Sequence, residues 1–261
     1  MNINIDDLIL KKMSIPPKSI IQYNNYNQLE FDKNFTILNK TIPKRIYLCY
    51  KTKNIPDYIL PNWLKLNPDY EIKLYDNTDC IQFLKEYYNQ HHVDIFNYIL
   101  DGPIKADFWR VCILYKMGGI YCDIDIEPLI SFNKFVESDI ILLTATSINK
   151  NELNPQIIIT PPNNPILEKC INTYLDYFNK NKPYQYWDWS IVHIMTKICN
   201  KIFNSYITED GIYYDSNSNK YQFIKEIGLT NRLSDIYCNY KNIRVLNNRY
   251  ITYDSHNHTF H

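Results

Sequence analysis

Between positions 104 and 127, the pattern of polar and apolar residues has first the period of a helix and then the period of a strand. From 104 to 117, apolar residues recur at spacings of three and four, which predicts an amphipathic helix with one buried stripe. Gly118 and Gly119 come next, and glycine is the residue that most readily takes the left-handed conformation that ends a helix. After them the pattern alternates, which predicts a strand that directs Asp123 and Asp125 to the same side.

The rest of the chain alternates between predicted strands and predicted helices. Strands are predicted at residues 41–50, 70–75, 140–144, 156–160, 243–246 and 250–253. Helices are predicted at residues 58–66, 80–88, 93–100, 166–178 and 190–203, and residues 182–189 are predicted to form an aromatic loop. This order predicts an α/β domain over residues 41–261, with a mainly parallel sheet and helices on both of its faces. Residues 1–40 are polar and rich in asparagine, so they are predicted to be an N-terminal accessory segment.

The composition excludes several classes of protein. Lysine plus arginine number 28 and aspartate plus glutamate number 28, so there is no basic excess for general binding to nucleic acid or anionic membranes. The seven cysteines are scattered without a C-x-x-C pair, which favours a reducing compartment over a disulfide framework or a zinc site. No apolar run reaches the ~20 residues of a membrane helix, and no signal peptide is recognised.

The acidic residues at the end of the predicted strand suit a metal site. Carboxylate oxygens are the ligands that Mg²⁺ and Mn²⁺ prefer, and two acids leave coordination positions open for a phosphate. Asp107 and Arg110 lie three residues apart and share one helix face, from which Arg110 would either bind a diphosphate or pair with Asp123. An ordinary surface ion pair is the alternative for these two residues. In open α/β sheets, ligands bind beyond the carboxyl ends of the strands, where these groups are expected.

Four segments in a fixed order resemble one enzyme family. They are IPKRIYLCY at 42–50, WLKLNPDYEIKLYD at 63–76, KADFWR at 105–110 and GGIYCDID at 118–125. Together they resemble the DXD-containing glycosyltransferases of family 32, which include mannosyltransferases and whose core is similar to the glucosylating domains of clostridial toxins. The resemblance implies a GT-A fold, a UDP- or GDP-sugar donor, Mn²⁺ or Mg²⁺, and transfer of a hexose, with retention, to a hydroxyl of a glycan or protein.

The resemblance also implies roles for individual residues. Tyr50 takes the place of the aromatic residue that stacks on the nucleotide base. Asp107 and Arg110 match the family's sugar-binding pair. Asp123 matches the first acid of the motif, which contacts ribose or the donor sugar near the metal, and Asp125 matches the second, which binds the metal directly.

Two further regions contribute candidate residues. The family completes its site near the carboxyl terminus, where His256 is the predicted metal or diphosphate ligand and His258 is the alternative. Within the aromatic loop at 182–189, the aromatic faces and one acid suit sugar stacking at an acceptor site, with Asp188 as the best candidate residue, although aromatic clusters more often fill a core.

Two other functions share these residues. One is a non-catalytic module of the same fold that binds nucleotide sugars or carbohydrates. The other is a two-metal nuclease, but the chain lacks a third acidic cluster and a basic surface. Fungal members of the family are anchored in the Golgi by a membrane helix, and since no such segment is recognised, a cytoplasmic bacterial or viral enzyme is expected.

Overall fold

The chain is described by a computed structural model that covers residues 35, 37, 39–149, 151–228, 236–248, 250, 253–254 and 259–260. The helices in these residues are α1 (Ile59–Leu66), α2 (Asn77–Tyr87), α3 (Gln90–Tyr98), α4 (Gly102–Met117), α5 (Pro165–Asn179), α6 (Tyr186–Trp189) and α7 (Ile191–Phe203). The strands are β1 (Arg45–Cys49), β2 (Glu71–Tyr75), β3 (Gly119–Asp123), β4 (Glu127–Pro128), β5 (Ile140–Thr146), β6 (Leu153–Thr160), β7 (Gly211–Tyr214), β8 (Lys220–Gly228), β9 (Ile236–Tyr240), β10 (Ile243–Asn247), β11 (Tyr253–Asp254) and β12 (Thr259–Phe260). The predicted accessory segment, residues 1–40, falls almost entirely outside the described residues.

One mixed sheet runs through the described part of the chain in the order β2-β1-β3-β6-β5-β8-β9-β10-β4, and β7 also pairs with β8. Strand β1 is parallel to both β2 and β3, and β5 is parallel to β8. The other pairs in this sheet are antiparallel. The α/β fold class is therefore confirmed, and the parallel end of the sheet is the part that carries the predicted site.

Both faces of the sheet are buried, which explains why β1 and β3 read as nearly continuous apolar runs. Tyr47 and Tyr121 face a core that contains residues of α2, α3, α4, α5 and α7. Ile46 and Ile120 face the opposite core, to which α1 contributes Trp63, stacked on Phe132 at 5.8 Å between ring centroids. Helices thus cover both faces, as predicted.

The two glycines end α4 for a steric reason as well as a conformational one. Gly118 has φ +61°, and a Cβ atom there would lie 2.6 Å from the backbone nitrogen of Pro162. Gly119 has φ +103°, and its Cβ atom would lie 2.9 Å from the carbonyl oxygen of Arg45. Only glycine fits this close approach without a shift of the backbone, so the predicted helix stop is confirmed.

The strand after the glycines is shorter than predicted. Strand β3 ends at Asp123, and Ile124 and Asp125 form a turn in which the N–H of Ile126 donates to the carbonyl of Asp123 at 3.1 Å. The two acids are therefore set by a strand end and a turn, and not by strand alternation. The strands β7, β8 and β9 were not predicted, and α6 lies in the predicted aromatic loop. None of the described helices is long and apolar enough to cross a membrane.

Candidate active site

A cavity of about 470 Å³ lies at the carboxyl ends of the parallel strands. Cys49, which ends β1, is in register with Asp123, which ends β3, so both strands deliver their last residues to this cavity. One face of α4 forms another wall and presents Asp107 and Arg110. The lining includes five of the predicted site residues, namely Tyr50, Asp107, Arg110, Asp123 and Asp125.

Arg110 is buried and joins the two acids that flank it. Its Nη2 atom lies 2.8 Å from a carboxylate oxygen of Asp107 and 2.8 Å from one of Asp123. Its Nη1 atom donates to the carbonyl of Pro155 at 2.6 Å, and the guanidinium carbon lies 4.4 Å from the ring centroid of Tyr121. Of the two predicted roles for Arg110, the structure contains the ion pair with Asp123.

Asp107 connects this cluster to a distant part of the chain. Its second carboxylate oxygen accepts a hydrogen bond of 3.0 Å from the backbone N–H of Ile191, at the start of α7. Only 5% of Asp107 is exposed, and burial raises the pKa of its carboxyl to about 6 against the opposing effect of Arg110. The ion pair is therefore retained at neutral pH and lost under mildly acidic conditions.

The charge of Arg110 is held in place by its partners. Burial alone would lower the pKa of Arg110, but the carboxylates of Asp123 and Asp107 raise it above its ordinary value. Burial raises the pKa of Tyr121 well above its ordinary value, so its hydroxyl stays protonated and donates to Asp123 at 2.9 Å. Asp123 thus receives two donors on one oxygen, which fixes its carboxylate at the cavity wall.

The acids fit a hard divalent cation only in part. Asp123 and Asp125 offer carboxylate oxygens to the cavity, and one oxygen of Asp123 is already occupied by Arg110 and Tyr121. Among the described residues, no group of three or more His, Cys, Asp or Glu residues is arranged to hold a metal ion. Such a donor set suits a cation whose remaining positions are filled by diphosphate oxygens and water. The predicted ligand His256 and its alternative His258 lie outside the described residues.

Phe260, a described residue near the carboxyl terminus, contacts a residue of the cavity wall. The ring of Phe260 lies 5.8 Å from that of Tyr50, centroid to centroid, in an edge-on arrangement. Tyr50 itself lines the cavity directly after β1, and Nζ of Lys51 lies 5.5 Å from the centroid of its ring. Phe260 therefore packs beside Tyr50, the residue predicted to stack on the nucleotide base.

Asp188, the residue predicted to bind an acceptor sugar, lies outside the cavity that its neighbours Tyr186 and Trp187 line. It pairs with Lys182 at 3.0 Å on the surface, which lowers its pKa, and it is absent from the lining of this cavity. Tyr186 and Trp187, from the same short helix, do line the cavity. The structure thus separates the acid of the aromatic loop from its two aromatic residues.

Sequence reasoning missed the wall formed by β6 and the segment before it. Asn154 lines the cavity and donates at 2.8 Å to Glu226, a buried residue of β8. Glu226 also accepts from Gln156 at 3.1 Å and from the backbone N–H of Ile148 at 2.9 Å. Each of these partners lies at least 70 residues from Glu226 in the chain, so no local pattern pointed to them.

One part of the chain matches a known protein family. Residues 56–142, which hold most of the predicted motifs, match the family described as glycosyltransferase sugar-binding region containing DXD motif. The chain is 27% identical over 142 residues to an initiation-specific alpha-1,6-mannosyltransferase of Candida albicans, covering 51% of this chain and 36% of that protein. It is 35% identical over 109 residues to the mannosyl phosphorylinositol ceramide synthase SUR1 of Saccharomyces cerevisiae, covering 36% of this chain and 27% of that protein.

The structural comparison supports the fold. The glycosyltransferase PaToxG superposes with a TM-score of 0.50 at 18% identity, over 62% of this chain and 70% of that one. The predicted resemblance and the GT-A type of fold are therefore confirmed. The prediction of a cytoplasmic bacterial or viral enzyme is wrong, because the similar curated proteins are mainly fungal enzymes named for mannosyl transfer or for synthesis of a mannosyl lipid. The chain spans only about a third of the length of these relatives.

Proposed function

We propose that this chain, whose residues 56–142 belong to the DXD-containing glycosyltransferase family, transfers a hexose from a nucleotide-diphosphate sugar to a hydroxyl of a glycan or protein. The observation that carries the proposal is the buried cluster of Asp107, Arg110 and Asp123, which opens into a cavity at the carboxyl ends of parallel strands. A cavity of about 470 Å³ is within the size range of small-molecule sites.

The donor is expected to lie along the wall from Tyr50 to Asp107. Tyr50 would stack on the base, Asp123 and Asp125 would hold Mn²⁺ or Mg²⁺ together with the diphosphate, and Asp107 would accept hydrogen bonds from the sugar. When bound, the cation supplies Lewis-acid assistance to the departing diphosphate. Mannose is the hexose we propose, because several of the relatives are named as mannosyltransferases.

Arg110 acts mainly by positioning the two acids. A guanidinium has five N–H donors, and the observed contacts engage Nε with Ala106, Nη2 with both carboxylates and Nη1 with Pro155. One Nη1 hydrogen is left for an oxygen of the donor. The fixed positive charge also favours the negative charge that develops as the sugar–phosphate bond breaks.

The reaction needs no strong base from the protein. The bond between the anomeric carbon and the diphosphate oxygen breaks, and the acceptor oxygen bonds to that carbon on the same face. The acceptor proton passes to the leaving diphosphate, which keeps the charges balanced and retains the configuration. The chain's own residues contribute by holding donor and acceptor in reach of each other, which is worth up to about 7–11 kcal/mol in well-oriented reactions.

A hydrolysis panel tests this proposal. The purified protein is incubated with GDP-mannose, UDP-glucose and UDP-N-acetylglucosamine, each with Mn²⁺, with Mg²⁺ and with EDTA, and release of the nucleoside diphosphate is followed by chromatography. We expect slow release from one donor that depends on the cation. If the protein binds a donor without cleaving it or transferring its sugar, the non-catalytic binding module is the better description. If it neither binds nor cleaves any nucleotide sugar, the proposal is wrong.

A further inference from the structure

The four tryptophans of the chain, all within the described residues, differ sharply in exposure. Trp63, Trp109 and Trp189 are fully buried, whereas 64% of Trp187 is exposed. An indole ring is one of the largest apolar surfaces a side chain offers, so leaving it in water at a cavity wall has an unfavourable solvation cost. Isolated exposed aromatic residues are common on protein surfaces, and it is the position of Trp187 on the cavity that calls for an explanation.

The helix that carries Trp187 is anchored by a neighbouring residue. Trp189 packs on Tyr98 at 5.5 Å and on Tyr184 at 5.7 Å between ring centroids, and its indole N–H donates to the carbonyl of Pro183 at 3.3 Å. Two residues later, the backbone N–H of Ile191 is bound by Asp107. Helix α6 is therefore held on one side by a buried aromatic cluster and on the other by the ion cluster of the active site.

Tyr186 extends this aromatic surface toward the reacting groups. Its ring lies 5.2 Å from that of Trp187, centroid to centroid, at an interplanar angle of 78°. Burial, with a further contribution from the carboxylates of Asp107 and Asp101, raises the pKa of Tyr186 to about 12, so its hydroxyl is a hydrogen-bond donor at neutral pH. Both rings line the cavity to which Asp107 also contributes, and Asp107 is near enough to affect the pKa of Tyr186.

We propose that Trp187 and Tyr186 form the acceptor subsite, in which the Trp187 indole stacks on the apolar face of a hexopyranose ring and directs one of its hydroxyls toward the donor. This inference rests on the proposed function. The donor is assigned to the wall of Tyr50, Asp123 and Asp125, so a second sugar ring is the occupant that remains for the aromatic wall. Ser147, Asn149 and Asn154 line the same cavity and offer polar groups for the hydroxyls of that ring.

The exposure of Trp187 provides a direct binding assay. The protein is titrated with methyl α-D-mannopyranoside and with methyl α-D-glucopyranoside while tryptophan emission is recorded, and glycerol at equal concentration serves as a probe with hydroxyls but no ring. We expect a saturable blue shift with at least one glycoside, no shift with glycerol, and no shift in Trp187→Phe, which keeps an apolar ring but removes the reporter. A response to neither glycoside, or an unchanged response in Trp187→Phe, overturns the subsite.

Transfer assays separate this inference from the function on which it rests. Trp187→Ala is expected to lower the ratio of sugar transfer to donor hydrolysis about tenfold, chiefly through the KM of the glycoside, because one aromatic contact is lost. Tyr214→Ala, which removes a 61% exposed tyrosine that does not line the cavity, should leave the ratio unchanged. An unchanged ratio in Trp187→Ala overturns the subsite while leaving the transferase intact. Absence of both hydrolysis and transfer in the unmodified protein, with the fluorescence response present, refutes the proposed function and not the sugar-binding surface.

Discussion

Replacement of Arg110 by methionine tests whether its positive charge stabilises the fold by compensating the carboxylates of Asp107 and Asp123. Methionine keeps much of the volume of the side chain but removes the charge that faces Asp107 and Asp123, each at 2.8 Å. Removing one partner of a buried ion pair costs about 3–5 kcal/mol, because the remaining charge is left without compensation. Arg110 compensates two carboxylates, one of them almost fully buried, so we expect a loss near the upper end of that range.

Equilibrium unfolding in urea at neutral pH measures the effect. Lys180→Met is the matched control, since it removes the partner of Asp176 from an exposed pair at 2.7 Å, and exposed pairs contribute at most about 1 kcal/mol. The double variant Arg110→Met, Asp107→Asn should recover part of the loss, because the buried carboxylate is then neutral. If Arg110→Met lowers the free energy of unfolding by no more than Lys180→Met does, Arg110 does not compensate the two carboxylates.

The remaining predictions concern catalysis, pH and packing. Arg110→Lys keeps the charge but cannot reproduce the contacts of the planar guanidinium with both acids and with Pro155, so kcat should fall about 10²–10³-fold with donor binding less affected, as measured by steady-state hydrolysis. The pKa of Asp107 is raised to about 6, so activity should fall as the pH drops below about 6, and Asp107→Asn should flatten that limb of the pH profile. Because the pKa of Asp107 is higher in the folded than in the unfolded protein, its contribution to the free energy of unfolding increases as the pH falls from about 6 to about 4. Urea unfolding of the unmodified protein and of Asp107→Asn across that pH range measures this contribution. Gly118→Ala should lower stability by about 1–3 kcal/mol in urea unfolding through its positive φ and its contact with Pro162, whereas Gly102→Ala, with open space around it, should have little effect. Glu226→Ala leaves Asn154, Gln156 and the N–H of Ile148 without their acceptor and should cost at least about 2 kcal/mol by the same measurement, unlike Glu209→Ala at an exposed pair with Lys225.

The features that the sequence predicted well are local. The end of α4 depends on two adjacent glycines. Asp107 and Arg110 share a helix face because they lie three residues apart. Each of these features depends on residues within one helical turn or one tight turn, so the local sequence was sufficient to predict it.

The features that it missed depend on contacts across long stretches of chain. The hydrogen bond between Asp107 and Ile191 joins residues 84 apart, and the pairing of β5 with β8 joins segments on either side of three helices. Strand β8 is long and lies inside the sheet, yet its lysine, glutamine and glutamate residues obscured the strand pattern. The sequence indicated the aromatic loop and its acid Asp188 as an acceptor site, but it could not show which of these side chains line the cavity; exposure and position in the structure single out Trp187.

Donor cleavage by Asp125→Asn tests the central claim most directly. The substitution keeps the shape of the side chain but weakens it as a ligand for a divalent cation, and Asp69→Asn, at a surface pair with Lys44, is the control. The nucleotide sugar that the unmodified protein cleaves is supplied with Mn²⁺, and release of the nucleoside diphosphate is measured for all three proteins. We predict cation-stimulated release by the unmodified protein and by Asp69→Asn, and loss of the stimulation in Asp125→Asn. Equal stimulation in all three proteins would contradict the assignment of the DXD acids to a metal-assisted glycosyltransferase site.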